Sequence, residues 1–470
     1  MPWRERSFVG KDSAAKGEPA LTAKTKAEAR AEGRALRGNV PRSGFAGWDP
    51  SMRRADPIAS LIATSRNRLP HLLPLRYGRM SLSALAWMRG SAALMASDLS
   101  ATPVTGLRVQ ACGDCHLGNF GAFASPERRV LFDLTDFDET LPGPWEYDVK
   151  RLATSLTLVA RYQGCGAPEV REVTLAAARA YRQHMREYGA LSPLDVWYSI
   201  IDSELLIRTA PDEATRQRRE RFERKARART GHSLLGRLLV EKDGRLRFRK
   251  QPPTIVPLAP GSKLARQFRK VLERYPRSLA TDRRMLLSRY RFAQIAFKVV
   301  GVGSVGTRCA VALYLSSGGE PLVLQVKEAV ASVLTPYAGA SLFQHEGERV
   351  VVGQRLMQCA SDIFLGWASD DDGRDYYVRQ LRDMKTSVPL EMLTGPVLHN
   401  FADMCGWALA RAHAKAGGAA RLSGYLGSSA RMDEAIADFA GRYADQCERD
   451  FAVFKRAIRS GRIRVELESP

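Results

Sequence analysis

The chain has 470 residues, 45% hydrophobic and 26% charged, which excludes collagen, coiled coil and wholesale disorder. A formal net charge of +22 predicts attraction to phosphate-bearing partners such as nucleotides, nucleic acids or anionic lipids, without identifying one. No uncharged apolar run approaches the length of about 18 residues that a membrane span needs, and the N-terminus has no hydrophobic signal core. We therefore expect a cytoplasmic protein without a membrane span.

Composition and periodicity divide the chain into four segments. Residues 1–57 are basic and poor in large apolar side chains, which predicts a mostly disordered tail with one short helix around residues 21–36. Residues 58–289 have helical spacing interrupted by a polar, glycine-rich loop, and we expect them to form a helical lobe. Residues 290–385 alternate in the manner of strands and predict a small antiparallel sheet lobe. Residues 386–470 return to helical spacing and are expected to complete the helical lobe.

The first candidate site lies in the loop CGDCHLGNFG, between two predicted strands. An Asp with an Asn five positions later is the spacing of phosphoryl-transfer sites, in which the carboxylate orients the acceptor and the carboxamide helps to hold Mg²⁺. Asp114 and Asn119 have this spacing. Asp136, at the end of the next predicted strand, is the expected second metal ligand, since Mg²⁺ prefers oxygen ligands. Asp133 and Asp138 stay open as alternatives for this role.

Two other interpretations of this loop stay open. An Asp and an Asn in a glycine-rich loop often only form Asx turns. Cys112, Cys115 and His116 could supply soft ligands to zinc, although adjacent Cys and His residues fit one tetrahedral site poorly and no second such pair follows in the chain.

The second candidate site is a GxGxxG sequence at residues 301–306. A dinucleotide-binding fingerprint would open a helix, with an acidic residue about 20 positions later. Here a strand-like segment follows, then a turn, then a second strand that carries Lys327. This order of strand, glycines, strand and strand-borne lysine is how kinase-type lobes cover and clamp ATP phosphates.

A kinase-type lysine needs a helix glutamate to hold it toward the phosphates. The helix predicted after Lys327 carries Glu346 and Glu348, and Glu346 has the better spacing for this role. Arg379 follows the last predicted strand of the lobe and is a candidate for the nucleotide pocket. The candidate nucleotide-binding residues are Gly301, Gly303, Ser304, Gly306, Lys327 and Arg379.

The two candidate sites occur in the reverse of the usual kinase order, because Asp114 precedes Gly301 in the chain. Circular permutation accounts for this order, since chain termini often lie close together at the surface. It requires the predicted helix over residues 401–416 to lie near the strand over residues 107–111. The alternative is that the two motifs belong to unrelated domains.

Several long motifs resemble those of the bacterial domain-of-unknown-function family 2252 from Ile58 onward: CGDCHLGNFG, FDLTDFDETLPGPWEYDVKRLA, VGVGSVGTRC, LQVKEA, YYVRQLRDMK and CGWALARAHA. This resemblance implies no established activity. More distantly, the same residues resemble aminoglycoside and choline kinase-like phosphotransferases, with Cys112 in place of a His. That resemblance implies a metal-binding role for Asp136, followed by a helix-leading Asp at Asp148. The chain lacks the glycine of a DFG motif and an APE segment, which weakens a protein-kinase assignment.

These observations lead us to expect an α+β, two-lobed, kinase-like fold in circularly permuted order. Its expected function is ATP- and Mg²⁺-dependent phosphate transfer, with catalytic roles for Asp114, Lys327 and Glu346. A catalytically inactive nucleotide-binding protein is the first alternative. The second is a module that binds nucleic acid or an anionic surface through residues 206–292, which hold 25 Lys or Arg against 8 Asp or Glu. The acceptor and the oligomeric state stay open.

Overall fold

The computed structural model describes residues 24–49, 54–228, 236, 238–381 and 388–468. The first 23 residues of the predicted basic tail lie outside the described residues. The helices are α1 (Lys26–Asn39), α2 (Pro57–Ser65), α3 (Leu73–Met80), α4 (Ala84–Gly90), α5 (Ala92–Ser100), α6 (Trp145–Tyr162), α7 (Ala167–Tyr188), α8 (Pro193–Tyr198), α9 (Ser203–Arg208), α10 (Glu213–Ala228), α11 (Lys263–Arg274), α12 (Thr281–Leu287), α13 (Thr335–Ala338), α14 (Glu346–Met357), α15 (Gly395–Lys415), α16 (Ala419–Leu426) and α17 (Arg431–Arg459).

The strands form one larger and several two-stranded antiparallel sheets, which confirms the mixed α/β class. The strands are β1 (Arg108–Ala111), β2 (Phe120–Ala124), β3 (Val130–Leu134), β4 (Leu141–Pro144), β5 (Leu239–Lys242), β6 (Arg245–Phe248), β7 (Ile255–Pro257), β8 (Tyr290–Lys298), β9 (Cys309–Ser316), β10 (Pro321–Ala329), β11 (Gly366–Ser369) and β12 (Asp375–Gln380). No helix of the described residues is both long enough and apolar enough to cross a membrane.

The six-stranded sheet has the order β11-β12-β10-β9-β8-β7. Its centre follows the sequence pattern, because β8, β9 and β10 are joined by the glycine sequence and by a tight turn. In the register of the sheet, Lys327 on β10 lies between Cys309 on β9 and Tyr377 on β12. Its alternating apolar residues build a core of their own with α11 and α12. The sheet thereby fixes Lys327 in a central strand beside the glycine turn.

The basic segment differs from the predicted continuous run of helices. After α10, it forms the hairpin β5-β6 and the edge strand β7 of the larger sheet, and α11 packs on β11. The sheet lobe therefore begins well before residue 290. Part of the positive charge of α10 is paired within the helix, where Arg216 contacts Glu213 and Glu220.

The helical part is built around four helices, α6, α7, α15 and α17. These helices share one large apolar core with the small β1-β4 sheet. Helix α15 contacts both β1 and β3, so the helix predicted over residues 401–416 does lie beside the strand that precedes the Asp114 loop. Strand β1 pairs with β4, while β2 and β3 form a separate hairpin. The loop between β1 and β2 thus projects from two small sheets held by helices.

The prediction of a mostly disordered tail is wrong for residues 24–49. Helix α1 begins later than predicted, with a capping box between Thr25 and Glu28, and packs along α16. The contact needs glycine on both helices: a Cβ on Gly33 would lie 1.9 Å from the Arg421 carbonyl oxygen, and one on Gly424 would lie 2.2 Å from that of Arg30. Small residues, not large apolar ones, allow this docking, and so hydrophobic patterning gave no sign of it.

Replacing Gly33 with Ala is expected to weaken the docking of α1 by about 1–3 kcal/mol, because the new methyl group must push the two backbones apart. Helix α1 offers a matched control in Gly38, where an added Cβ meets no atom within 4 Å. Gly38→Ala should strengthen the helix by up to about 1 kcal/mol. The measurement is the rate of tryptic cleavage within α1. Equal cleavage rates in the two variants would contradict the close packing.

Candidate functional site

One cleft of about 620 Å³ lies between the larger sheet and the helical part, and both candidate sites line it. From the loop side come Asp114, Asn119, Asp136 and Asp138. From the sheet side come Gly301, Gly303, Ser304, Lys327 and Arg379. The structure therefore brings together two stretches of chain that are almost two hundred residues apart.

The loop after β1 is held by the carboxylate of Asp148, which is buried in the first turn of α6. Its two oxygens accept hydrogen bonds from the backbone N–H groups of Cys112 and Gly113, at 2.6 and 3.0 Å. His413 of α15 lies 3.1 Å from the same carboxylate through Nε2. Gly113 has a φ of 83°, a conformation that favours glycine, and a Cβ there would lie 2.2 Å from the Glu139 carbonyl oxygen. These contacts fix the loop so that its next residue, Asp114, enters the cleft.

One oxygen of Asp114 is anchored and the other faces the glycine turn. Oδ1 accepts from Arg151 Nε at 2.7 Å, and Oδ2 lies 3.9 Å from the position of a Cβ on Gly303. Burial raises the pKa of Asp114 to about 6, although the guanidinium of Arg151 opposes this shift. Asp114 is thus a positioned carboxylate that takes up a proton near neutral pH.

The cysteines and the histidine of this loop do not form the alternative zinc site. Burial raises the pKa of Cys115 well above its usual range. Burial, with help from Arg89 and Arg151, holds the pKa of His116 well below its usual range, and its Nδ1 accepts from Gly118 N. Across the residues that the structure describes, no three His, Cys, Asp or Glu side chains are grouped to hold a metal ion.

Lys327 is buried at the back of the cleft and contacts Asp138. Its Nζ donates to Asp138 Oδ2, while Tyr377 OH donates to Oδ1 of the same carboxylate at 2.8 Å. Burial alone would lower the pKa of Lys327, but the carboxylates of Asp136 and Asp138 outweigh it and raise that pKa above its usual value. Lys327 is therefore a fixed ammonium group directed at the acidic side of the cleft.

The predicted pairing of Glu346 with Lys327 is wrong in this structure. Glu346 stands at the start of α14 and accepts from Arg349 Nε at 2.5 Å, while Lys327 takes Asp138 instead. Arg349 also donates to the carbonyl oxygens of Asp138 and Thr140, at 2.9 and 2.6 Å. Residues 135–140, between β3 and β4, form the acidic loop. Helix α14 therefore holds the acidic loop through Arg349, and Glu346 orients that arginine.

Asn119 and Asp136 both reach the cleft from the loop side. Asn119 Nδ2 donates to the Asp114 carbonyl oxygen at 2.7 Å, which leaves its carboxamide oxygen as the group that could serve a cation. The backbone oxygen of Asp136 accepts from Cys112 Sγ at 3.3 Å, which ties the acidic loop to the loop that carries Asp114. The carboxylate of Asp138, the third predicted metal ligand, accepts hydrogen bonds from Lys327 and Tyr377 instead.

The glycine turn closes over this arrangement. Ser304 Oγ donates to Asp138 Oδ2 at 3.3 Å, which joins the turn directly to the acidic loop. Gly306 has a φ of 90° and marks the end of the turn, where its carbonyl oxygen accepts from Leu69 N at 2.8 Å. Gly306 itself does not line the cleft. The predicted glycines therefore differ in role, since Gly301 and Gly303 face the cleft and Gly306 shapes the turn.

Residues 68–457 match the family model described as an uncharacterized protein conserved in bacteria (DUF2252). The chain belongs to this family. The DUF2252 match extends over the cleft, the larger sheet and most of the helical part, so it covers every candidate residue. No curated protein and no solved structure matches the chain.

Several residues of this DUF2252 cleft were not predicted from the sequence. Arg151 donates to Asp114 and Tyr377 donates to Asp138. Arg89 lines the cleft itself. The sequence indicates Asp148 only through the resemblance to kinase-like phosphotransferases. Asp148 and Arg151 lie one turn apart on α6 and so face the same loop. That spacing, together with the buried position of α6, is the sequence signal that could have identified Arg151.

Proposed function

We propose that this protein is an ATP-dependent phosphotransferase with a circularly permuted, kinase-like arrangement. The observation that carries the proposal is the meeting of Lys327 and the glycine turn with the Asp114–Asn119 loop across one cleft. Its volume of about 620 Å³ is within the usual range for ligand pockets. The order of β8, glycine turn, β9, β10, α14, β11 and β12, followed by α15 beside β1, supports the permuted connection.

In this proposal, the nucleotide phosphates lie under residues 301–306 and replace Asp138 as the partner of Lys327. The exchange keeps the buried ammonium compensated, because one anionic oxygen takes the place of another. Asn119 and Asp136 would hold Mg²⁺, whose remaining positions suit phosphate and water oxygens, and the cation would neutralise charge on the phosphates. Two protein ligands are sufficient for such a site.

Phosphate transfer then needs one well-placed carboxylate. The acceptor oxygen forms a bond to the γ-phosphorus, the bond from that phosphorus to the β–γ bridging oxygen breaks, and ADP leaves. Asp114 Oδ2 accepts the proton of the acceptor, while Arg151 and the loop contacts of Asp148 keep the carboxylate in place. Catalysis of this kind depends on positioning and charge more than on covalent chemistry.

The direct test is Mg-ATP binding by calorimetry and single-turnover transfer of labelled γ-phosphate to a pool of small-molecule acceptors. Lys327→Met should weaken Mg-ATP binding by about tenfold to a hundredfold, because a charge-assisted contact to phosphate is lost. The matched control is Lys263→Met, since that side chain is 77% exposed and lies outside the cleft. Absence of Mg-ATP binding by the wild-type protein would overturn the proposal, and binding without transfer would identify an inactive nucleotide-binding protein.

A further inference from the structure

Three arginines from one short stretch of chain line the same wall of the cleft. Arg68 precedes α3, Arg76 lies within α3, and Arg89 lies in the last turn of α4. Helices α3 and α4 both contact the glycine turn. The three side chains therefore add positive charge to the cleft beyond that of Lys327.

The hydrogen bonds of these arginines leave donors unused. Arg76 is 1% exposed and donates to Ser65 Oγ at 3.1 Å and to the Gly90 carbonyl oxygen at 2.7 Å, while its Nε has no partner. The buried Nε of Arg89 has no partner either. Arg68 donates through Nη1 to the Val305 carbonyl oxygen at 2.6 Å. In the part of the chain that the structure describes, none of the three forms an ion pair with a carboxylate.

Other buried arginines of this protein do have acidic partners. Arg54 contacts Asp98 and Asp450, and Arg182 contacts Asp433. A guanidinium buried without a counter-charge costs free energy, and three in one wall repel one another. In the cleft wall, three such arginines without an ion pair lie together, and the cleft is open to a ligand.

The electrostatics agree with this pattern. Burial lowers the pKa of Arg76 to about 9, and the nearby charge of Arg68 lowers it further. Burial also lowers the pKa of Arg68 and of Arg89, although acidic groups of the same cleft, Glu139 for Arg68 and Asp114 for Arg89, oppose the shift. A bound anion would reverse each of these shifts.

The position of Arg89 indicates which substrate would supply the anion. Its guanidinium carbon lies 3.5 Å from the position of a Cβ on Gly118, in the loop between Asp114 and Asn119. Its backbone oxygen lies 3.9 Å from the position of a Cβ on Gly303. Arg89 therefore sits where the proposed catalytic loop meets the tip of the glycine turn, on the side of Asp114.

We propose that Arg68, Arg76 and Arg89 form a binding site for a tetrahedral oxyanion of the phosphate class, carried by the acceptor. The oxyanion site stands on the arginines alone, whereas its assignment to the acceptor rests on the proposed function. A phosphate group matches several cations because it carries about two negative charges and three acceptor oxygens. The acceptor would then be a phosphorylated molecule with a second, free hydroxyl group.

The test is calorimetric titration of the full chain with inorganic phosphate, with and without a saturating non-hydrolysable ATP analogue and Mg²⁺. Phosphate should bind in both conditions, and Arg89→Gln should weaken it by about tenfold or more. Arg89→Lys should have an intermediate effect, because it keeps the charge and loses the fork of donors. Arg66→Gln is the matched control, since it removes the same charge from an exposed position in the same segment.

Each outcome decides between the parts of the proposal. Phosphate binding that is equal in the wild type and Arg89→Gln, or absent in both, overturns the oxyanion site. Phosphate binding that disappears when the analogue is bound assigns these arginines to the nucleotide's own phosphates and overturns the acceptor assignment. If the analogue does not bind while Arg89-dependent phosphate binding persists, the phosphotransferase proposal fails and the oxyanion site stands.

Discussion

Asp114→Asn is expected to lower the rate of phosphate transfer by about a thousandfold, because an amide cannot accept the acceptor proton. Mg-ATP binding should change little, since the proposed arrangement puts Asp114 on the acceptor side of the cleft and assigns the phosphates to Lys327. Single-turnover transfer and calorimetry on the same preparations measure the two quantities separately.

In the proposed reaction, the wild-type protein should also lose kcat/KM as the pH falls through about 6, since burial raises the pKa of Asp114 to about that value. The carboxyl must be ionised to accept a proton, so activity is present above this pH and lost below it. Arg151→Met should move the loss to higher pH, because the guanidinium that favours the ionised form is gone.

The matched control for Asp114→Asn is Asp282→Asn, which changes a carboxylate that is 67% exposed and lies outside the cleft. It should leave both the rate and the pH profile unchanged. Transfer by Asp114→Asn at the wild-type rate would remove Asp114 from the mechanism, whatever the nucleotide affinity.

The largest effect on stability is expected at the ion pair between Asp133 and Arg411, in which both side chains are fully buried. Asp133 Oδ2 accepts from Arg411 Nη2 at 2.7 Å and from Cys359 N at 2.9 Å. The pair ties β3, which leads into the acidic loop, to α15 and to the chain just beyond α14. Arg411→Met should lower the free energy of unfolding by about 3–5 kcal/mol, because it leaves the Asp133 carboxylate buried without its counter-charge.

Urea denaturation followed by circular dichroism measures this loss. The control is Arg171→Met, since the ion pair of Arg171 with Asp438 is exposed and should contribute about 1 kcal/mol or less. Adding Asp133→Asn to Arg411→Met should recover part of the loss, because the uncompensated charge is removed. A loss for Arg411→Met no greater than for Arg171→Met would show that the buried pair does not hold these elements together.

Local patterns predicted the parts of the site that depend on neighbours in sequence. The turn at residues 301–306 and Lys327 follow from alternating strands separated by glycines. The Asp114–Asn119 loop was identifiable for a similar reason, because its spacing lies within six residues. The mixed fold class and the meeting of the two stretches in one cleft agree with these expectations.

Contacts between distant residues could not be predicted in the same way. Spacing along the chain favoured Glu346 as the partner of Lys327, whereas Lys327 contacts Asp138, which lies 189 positions away in the sequence. Asp133 and Arg411 are 278 positions apart, so no local pattern relates them. The three arginines on the cleft wall are visible as a group only in three dimensions, since their shared property is that none of them forms an ion pair among the described residues.

The most direct test is a crystal structure of the protein with Mg²⁺ and a non-hydrolysable ATP analogue. We expect the phosphates between the glycine turn and Lys327, the cation at Asn119 and Asp136, and the Asp138 carboxylate displaced from Lys327. An analogue bound outside this cleft, with the contact between Lys327 and Asp138 intact, would contradict the proposed nucleotide site.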